Sequence, residues 1–204
     1  MSSFQIVPVD FTFLQSIIIR MILSDRDIKT AIEKGLIKIS PKPDLKTQLG
    51  TCSLDLRLSG NFKVFEYNKS AFIDVSDKKT FEGITKEHNL KKNEPFVLHP
   101  GQFVLGATIE MVCLPNDIAA RIDGRSRLGR LGLVIHSTAG HIDPGFCGRV
   151  TLEITNIGKL PIILHKNLCI CQLVFETLTQ PVSKGYSQRR DSKWNKPGNL
   201  TVAK

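Results

Sequence analysis

Cys52-Ser53-Leu54-Asp55-Leu56-Arg57-Leu58-Ser59 alternates apolar with polar residues throughout. A period of two is that of a β-strand with one face on a core and the other toward water. Further strand candidates follow at 62–66, 95–99, 103–113, 118–122, 132–136, 148–155, 160–164 and 168–176, separated by Gly, Pro and Asn. So many short strands predict a mainly β fold, a barrel or jelly roll. Upstream, Ser24-Asp25-Arg26-Asp27 reads as an N-cap with a carboxylate three residues on, Ile28, Ala31 and Ile32 form an apolar stripe, and Gly35 ends it. This spacing predicts one short amphipathic helix. The polar stretch 76–94 reads as a surface excursion, and the chain from Gln180 onward, basic and carrying Gly185, Pro197 and Gly198, as a mobile tail.

A chain of 204 residues with 41% hydrophobic and 23% charged residues has the composition of one globular domain, which excludes a disordered chain or a collagen-like repeat. With 28 Lys+Arg against 19 Asp+Glu, the net charge of +9 suits a polyanionic partner: nucleic acid, an anionic membrane or nucleotide phosphates. No apolar run reaches the length of about 20 residues that a membrane-spanning helix needs. The first twenty residues are apolar in places but lack the basic start of a signal peptide, so they read as an appendage. Cys52, Cys113, Cys147, Cys169 and Cys171 show no paired C-x-x-C spacing, the pattern of free thiols in the cytoplasm.

Three clusters carry chemistry. Gly124-Arg125-Ser126-Arg127-Leu128-Gly129-Arg130-Leu131-Gly132 sets three guanidiniums, a hydroxyl and small backbone around a turn. Arg offers bidentate donors, and glycines let backbone N–H groups approach phosphate oxygens, so this turn suits a polyphosphate. No stripe of aromatics accompanies the basic residues, which ranks nucleic-acid binding last. In His136-Ser137-Thr138-Ala139-Gly140-His141-Ile142-Asp143-Pro144-Gly145-Phe146, Asp143 either holds a sugar hydroxyl or water, or simply initiates the Asp-Pro-Gly turn. His136 and His141, five apart and without a third ligand nearby, read as satisfied polar residues rather than metal ligands. In Val150-Thr151-Leu152-Glu153-Ile154 the apolar residues share one face, which leaves Glu153 on the other with Thr151 and Thr155. In a closed site that carboxylate serves as a general base; on an outer face it meets only solvent.

In order, Gly124–Gly132, His136–Gly148, Thr151–Glu153 and Gln172-Leu173-Val174-Phe175 closely resemble the dCTP deaminase family, a branch of the trimeric dUTPase superfamily. The resemblance extends upstream to 24–28, 54–58 and 94–101, and downstream to Tyr186 and Lys193. It divides the chain into an N-terminal extension, 1–20, a dUTPase-like deaminase domain, 21–180, and a tail, 181–204, that closes over the site. It implies a distorted β-barrel with a short N-terminal helix, a homotrimer with sites between subunits, and hydrolytic loss of ammonia from C4 of the cytosine of dCTP. It further implies that Glu153 is the catalytic base, that Ser126 and Arg130 support it, and that the Ala139 backbone holds the water. Arg125, Ser126, Arg127, Leu128, Gly129 and Arg130 match the triphosphate loop, and Asp143 matches the deoxyribose contact. Thr151, Leu152 and Glu153 line the base, while Tyr186, Arg189 and Lys193 offer tail contacts. Magnesium is implied on the substrate triphosphate, and dTTP as a feedback inhibitor.

Zinc is not expected. Cytosine deaminases that use it carry an H-x-E and P-C-x-x-C signature, which this sequence lacks. Two departures from the family pattern are Arg127, where many members carry serine, and the absence of a tail glutamine after Lys193. The family divides into enzymes that release dUTP and enzymes that continue to dUMP and pyrophosphate. His-x-Thr-Ala-Gly at 136–140, with Gly140 in place of a bulky side chain, resembles the dUMP-forming type, whereas Arg189-Arg190-Asp191-Ser192-Lys193 resembles the dUTP-releasing type. The other readings are a dUTP diphosphatase, suggested by the Asp143 turn, and a non-catalytic nucleotide-binding protein.

Overall fold

A computed structural model describes residues 21–136 and 138–189. Helix α1 (Asp25–Glu33) begins at a reciprocal capping box. The Ser24 hydroxyl accepts the Asp27 N–H and the Asp27 carboxylate accepts the Ser24 N–H, at 3.3 and 3.2 Å. Two amides at the helix start thereby gain partners. Ile28 and Ala31 are buried, and Gly35 at φ +70° ends the helix in a conformation that costs a side chain but not a glycine.

The chain continues through β1 (Lys38–Ser40), α2 (Leu45–Gln48), β2 (Leu54–Phe65), β3 (Thr85–Asn89), β4 (Phe96–Leu98), β5 (Phe103–Cys113) and β6 (Ile118–Gly124). Then come α3 (Ser126–Gly129), β7 (Leu133–Ile135), β8 (His141–Ile142), β9 (Cys147–Asn156), β10 (Ile162–Leu164) and β11 (Cys169–Thr177). A nine-stranded antiparallel sheet runs β7-β9-β5-β2-β11-β6-β8, with β1 also on β5 and β3 also on β2; β10 and β4 form a second, two-stranded sheet. The large sheet curls into a distorted, incompletely closed barrel, the mainly β fold expected from the sequence. Leu54, Leu56, Leu58, Leu152, Ile154, Ile170 and Phe175 fill its interior. Burial of each such side chain contributes roughly 1.5–3 kcal/mol. Phe62 stacks on Phe96 at 4.3 Å between ring centroids, which ties the small sheet to the large one.

Several local expectations change in three dimensions. The segments read as separate strands before and after Gly60-Asn61 are one strand, β2, with a register irregularity between Leu58 and Phe62. The turn signal marks a bulge, which adds a residue without ending the pairing. The excursion 76–94 contains β3, exposed in side chain yet paired along Asn61–Phe65. Cys169 and Cys171, two apart in β11 and so on one face of a regular strand, are separated by a bulge, which leaves Cys171 buried and Cys169 partly exposed. Cys113 and Cys147 face each other across the β5–β9 pair as a disulfide, so the five thiols are not all free. Cysteine spacing along the chain carries no information about such a cross-strand neighbour. No helix among the described residues is long and apolar enough to cross a membrane.

Candidate active site

β9 supplies the carboxylate. Val150, Leu152 and Ile154 point into the core, and Thr151, Glu153 and Thr155 stand half-buried on the opposite face, as the alternation requires. Glu153 is clamped through its peptide by His136, which follows β7. The His136 N–H donates to the Glu153 carbonyl at 3.0 Å, and the His136 Nδ1 accepts the Glu153 N–H at 3.1 Å. This double contact places His136 at φ +52°, a region where His is among the more tolerated side chains. An Nδ1 that accepts carries no proton, so the neutral ring has its N–H at Nε2. Burial lowers the His136 pKa, and the nearby Glu153 carboxylate opposes the shift only in part. The Glu153 carboxylate itself makes no hydrogen bond or ion pair with another described residue.

The arginine turn divides by role. α3 is a single helical turn in which the N–H groups of Leu128 and Gly129 both bond the Arg125 carbonyl. The N–H groups of Arg130 and Gly132 bond Ser126 and Gly129. The amides of Gly129 and Gly132 are therefore engaged within the turn, not presented to a ligand. Gly132, at φ +89°, is required for another reason: a Cβ there would lie 2.7 Å from the Gly158 nitrogen. Leu128 packs on the core, whereas Ser126, Arg127, Gly129 and Arg130 are exposed. Arg127 and Arg130 form no ion pair among the described residues. Arg125 does: its Nη2 lies 3.0 Å from Asp55 Oδ2, and its Nη1 donates to the Cys169 carbonyl at 3.3 Å.

α3 leads into β7, whose Leu133 pairs with Asn156 of β9. Within one chain the arginine turn thus sits at the Asn156 end of β9, three residues past Glu153, or roughly 10 Å along the strand. Among the described residues no hydrogen bond or ion pair joins it to Glu153. Beside the turn, Leu131, Ile157 and Leu160 are exposed by 66%, 71% and 78%, an apolar rim on an otherwise basic loop.

The third cluster is a turn with the tail docked on it. Asp143-Pro144-Gly145-Phe146 is closed by the Phe146 N–H on the Asp143 carbonyl at 3.2 Å, with Gly145 at φ +75°. Pro followed by a positive-φ Gly is the type II arrangement. Asp143 therefore does initiate a turn, and its carboxylate is presented outward as well. It pairs with Arg189 at 3.1 Å and lies 3.5 Å from His141 Nε2. The Tyr186 N–H bonds the Pro144 carbonyl at 2.8 Å, and the Tyr186 ring lies 5.6 Å from that of Phe146. Burial, reinforced by the Asp143 charge, raises the Tyr186 pKa. Ala139 is exposed, and the neighbouring Gly140 carbonyl accepts the Ile122 N–H at 2.7 Å. Lys193 lies outside the described residues.

The reading of β2 as half-buried missed a charged network beneath the arginine turn. Asp55 is 9% exposed and Glu110 is fully buried. Glu110 accepts hydrogen bonds from Arg57 Nε at 2.6 Å, the Arg57 N–H at 2.9 Å and Gln48 Nε2 at 3.1 Å. The available signal was a glutamate within the apolar run 103–113, since a charge in a core strand demands a partner. Among the described residues, no group of three or more His, Cys, Asp or Glu could hold a metal ion.

The family profile described as dCTP deaminase-like matches residues 22–178. A dCTP deaminase, dUMP-forming, of Methanothermobacter thermautotrophicus is 48% identical over 174 residues, 85% of this chain and 88% of that protein. The protein of the same description from Dictyoglomus thermophilum is 44% identical over 184 residues, 90% of this chain and 94% of its own. A dCTP deaminase of Thermomicrobium roseum is 40% identical over 85% of this chain and 88% of its own. The crystal structure of 2'-deoxycytidine 5'-triphosphate deaminase from Agrobacterium tumefaciens superposes with a TM-score of 0.60 at 23% identity, over 78% of this chain and 48% of that one, a likeness of fold. By profile and by sequence identity along most of its length, this chain belongs to the dCTP deaminase-like family.

Proposed function

We propose that this chain hydrolyses dCTP, replacing the C4 amino group with oxygen and releasing ammonia, and that the dUTP so formed continues to dUMP and pyrophosphate in the same site. The observation that carries the reading is Glu153: a half-buried carboxylate without an ion pair among the described residues, on β9, a strand paired on both sides by β7 and β5, with its N–H and its carbonyl both held by a neutral His136. A base held in that way takes the proton of a water attacking C4 and relays it to the departing amine. The Ala139 backbone holds the water, and Thr151, Leu152 and Glu153 line the cytosine. Asp143 meets the deoxyribose, and Arg125 to Arg130 take the triphosphate together with its magnesium, which neutralises phosphate charge. Ser126 and Arg130 steady the charge that develops in the transition state. Tyr186, Arg189 and Lys193 close over the nucleotide, and no zinc takes part.

The separation of the arginine turn from Glu153 within one chain supports a site completed by a second copy, in a homotrimer, with Leu131, Ile157 and Leu160 covered between subunits. The description of several relatives as dUMP-forming favours the second hydrolysis. Inhibition by dTTP follows if thymine occupies the cytosine pocket.

The test is a quenched single turnover of dCTP with the wild-type protein and with Glu153→Gln. The wild type is expected to give dUMP and pyrophosphate with no free dUTP. The variant is expected to bind dCTP within a few-fold of normal and to lose about 10²–10⁴ in rate. Near-normal turnover by the variant removes Glu153 from the role, and dUTP accumulating without pyrophosphate removes the second activity.

A further inference from the structure

The charged network under the arginine turn has no part in the chemistry above, yet it ends on Arg125. β6 hands the chain to Arg125 beside β11, where Gly124 is opposite Cys171 and Cys171 is opposite Leu56 of β2. The Arg125 side chain reaches back across β11 to β2, where Asp55 takes Nη2 at 3.0 Å, while the Cys169 carbonyl takes Nη1 at 3.3 Å. Asp55 is itself held from below. Gln48 Nε2 donates to the Asp55 carbonyl at 2.9 Å and to Glu110 at 3.1 Å, and Gln48 Oε1 accepts the Asp44 N–H at 3.0 Å. Glu110 then binds Arg57 through side chain and backbone. Asp55 and Glu110 balance Arg57 and Arg125, so no net charge is buried. Burial favours the neutral form of Asp55, and Arg125 counters that by stabilising the carboxylate.

A guanidinium has five N–H donors. Two of those on Arg125 are engaged by Asp55 and Cys169, and the described residues claim none of the other three. Arg127 and Arg130, by contrast, are long exposed side chains that must be ordered when an anion arrives. We propose that Asp55 is a positioning residue that holds Arg125 as a pre-ordered cation for the nucleotide triphosphate, with the Gln48–Glu110–Arg57 network fixing Asp55 in turn. The inference rests on the reading of 125–130 as the phosphate loop. A positioned cation removes ordering cost from substrate binding and leaves the chemistry at C4, where Glu153 acts, untouched.

The experiment measures KM and kcat for dCTP with magnesium in Asp55→Asn, Asp55→Ala, Arg125→Ala and the double variant Asp55→Ala/Arg125→Ala, with direct binding of dCTP and dCMP to each. Thermal melts identify any variant that does not fold; Asp55→Asn keeps the side-chain shape and carries the test if Asp55→Ala unfolds. Loss of a charge-assisted bond to an anion-binding arginine is expected to raise KM for dCTP about tenfold with kcat within a factor of three. The binding advantage of dCTP over dCMP should shrink in parallel, and Asp55→Ala should add little once Arg125 is gone. An equal fall in kcat at unchanged KM, or additive effects in the double variant, overturns the proposal. If Arg125→Ala raises KM and the Asp55 variants do not, the positioning role fails while the phosphate loop stands. If Arg125→Ala leaves dCTP binding unchanged, the phosphate-loop reading fails and the positioning role with it.

Discussion

Gly145→Ala separates the tail's docking from the stability of the barrel. Gly145 lies at φ +75°, where an alanine costs about 1–2 kcal/mol. An added Cβ would also lie 2.8 Å from Gly185 Cα and 3.0 Å from the Tyr186 nitrogen, both backbone atoms that no rotamer change can move aside. What holds residues 185–189 on the turn is the Tyr186 to Pro144 hydrogen bond, the Phe146–Tyr186 ring contact and the Asp143–Arg189 pair. The first two contribute about 1 kcal/mol each, and the third, between partly exposed groups, between nothing and about 1 kcal/mol. A contact worth about 2–3 kcal/mol is thus opposed by strain of similar size, and the tail should be released. Opening made easier by about 2 kcal/mol corresponds to roughly thirtyfold faster tryptic cleavage after Lys184, in the regime where cleavage follows the open population. Gly185→Ala is the control: its φ is ordinary, and its Cβ meets mainly the Asn116 Oδ1, the end of an exposed side chain that can rotate away. Timed proteolysis read by mass spectrometry, alongside thermal melts, measures both. Equal cleavage rates in wild type and Gly145→Ala, or a larger effect from Gly185→Ala, would refute the reasoning.

His136 has a folded pKa below its unfolded value, so the unfolded chain binds the extra proton and stability is lost as pH falls below about 6.5. His136→Asn retains a hydrogen-bond acceptor and tolerates φ +52°, so melting temperatures between pH 7 and 5 should fall less steeply than in the wild type; an unchanged slope excludes His136 as the source. Gly140→Ala would place a Cβ 2.9 Å from the Ile122 carbonyl oxygen and strain the β6–β8 contact, at an expected cost of about 1–3 kcal/mol in a denaturant melt. A wild-type midpoint there would show that the loop gives way freely. Elemental analysis of the active protein is expected to find no stoichiometric zinc, with chelators acting only through nucleotide magnesium; one tightly held zinc per chain, needed for turnover, would overturn the mechanism.

Local patterning in the sequence determined the elements whose signal lies within a few residues. Ser24 to Gly35 carried the start, stripe and stop of α1, and 150–154 carried both the core face and the opposite face that presents Glu153. The resemblance of 124–153 to a known family gathered the three clusters that strand spacing alone left unconnected. Tertiary structure alone decided which strands became neighbours, because pairing joins residues far apart in the chain and leaves no mark on local periodicity. Asp55 and Arg125 are 70 positions apart in sequence and 3.0 Å apart in space, and Arg57 and Glu110 meet across 53 positions. Alternation placed Asp55 and Arg57 on a polar face; only the fold showed that face to be covered, since a buried carboxylate is tolerable where partners from other strands reach it. The same holds for His136, whose place as the clamp on Glu153 depends on β7 lying against β9, and for Cys113 and Cys147, joined because β5 and β9 bring them into register.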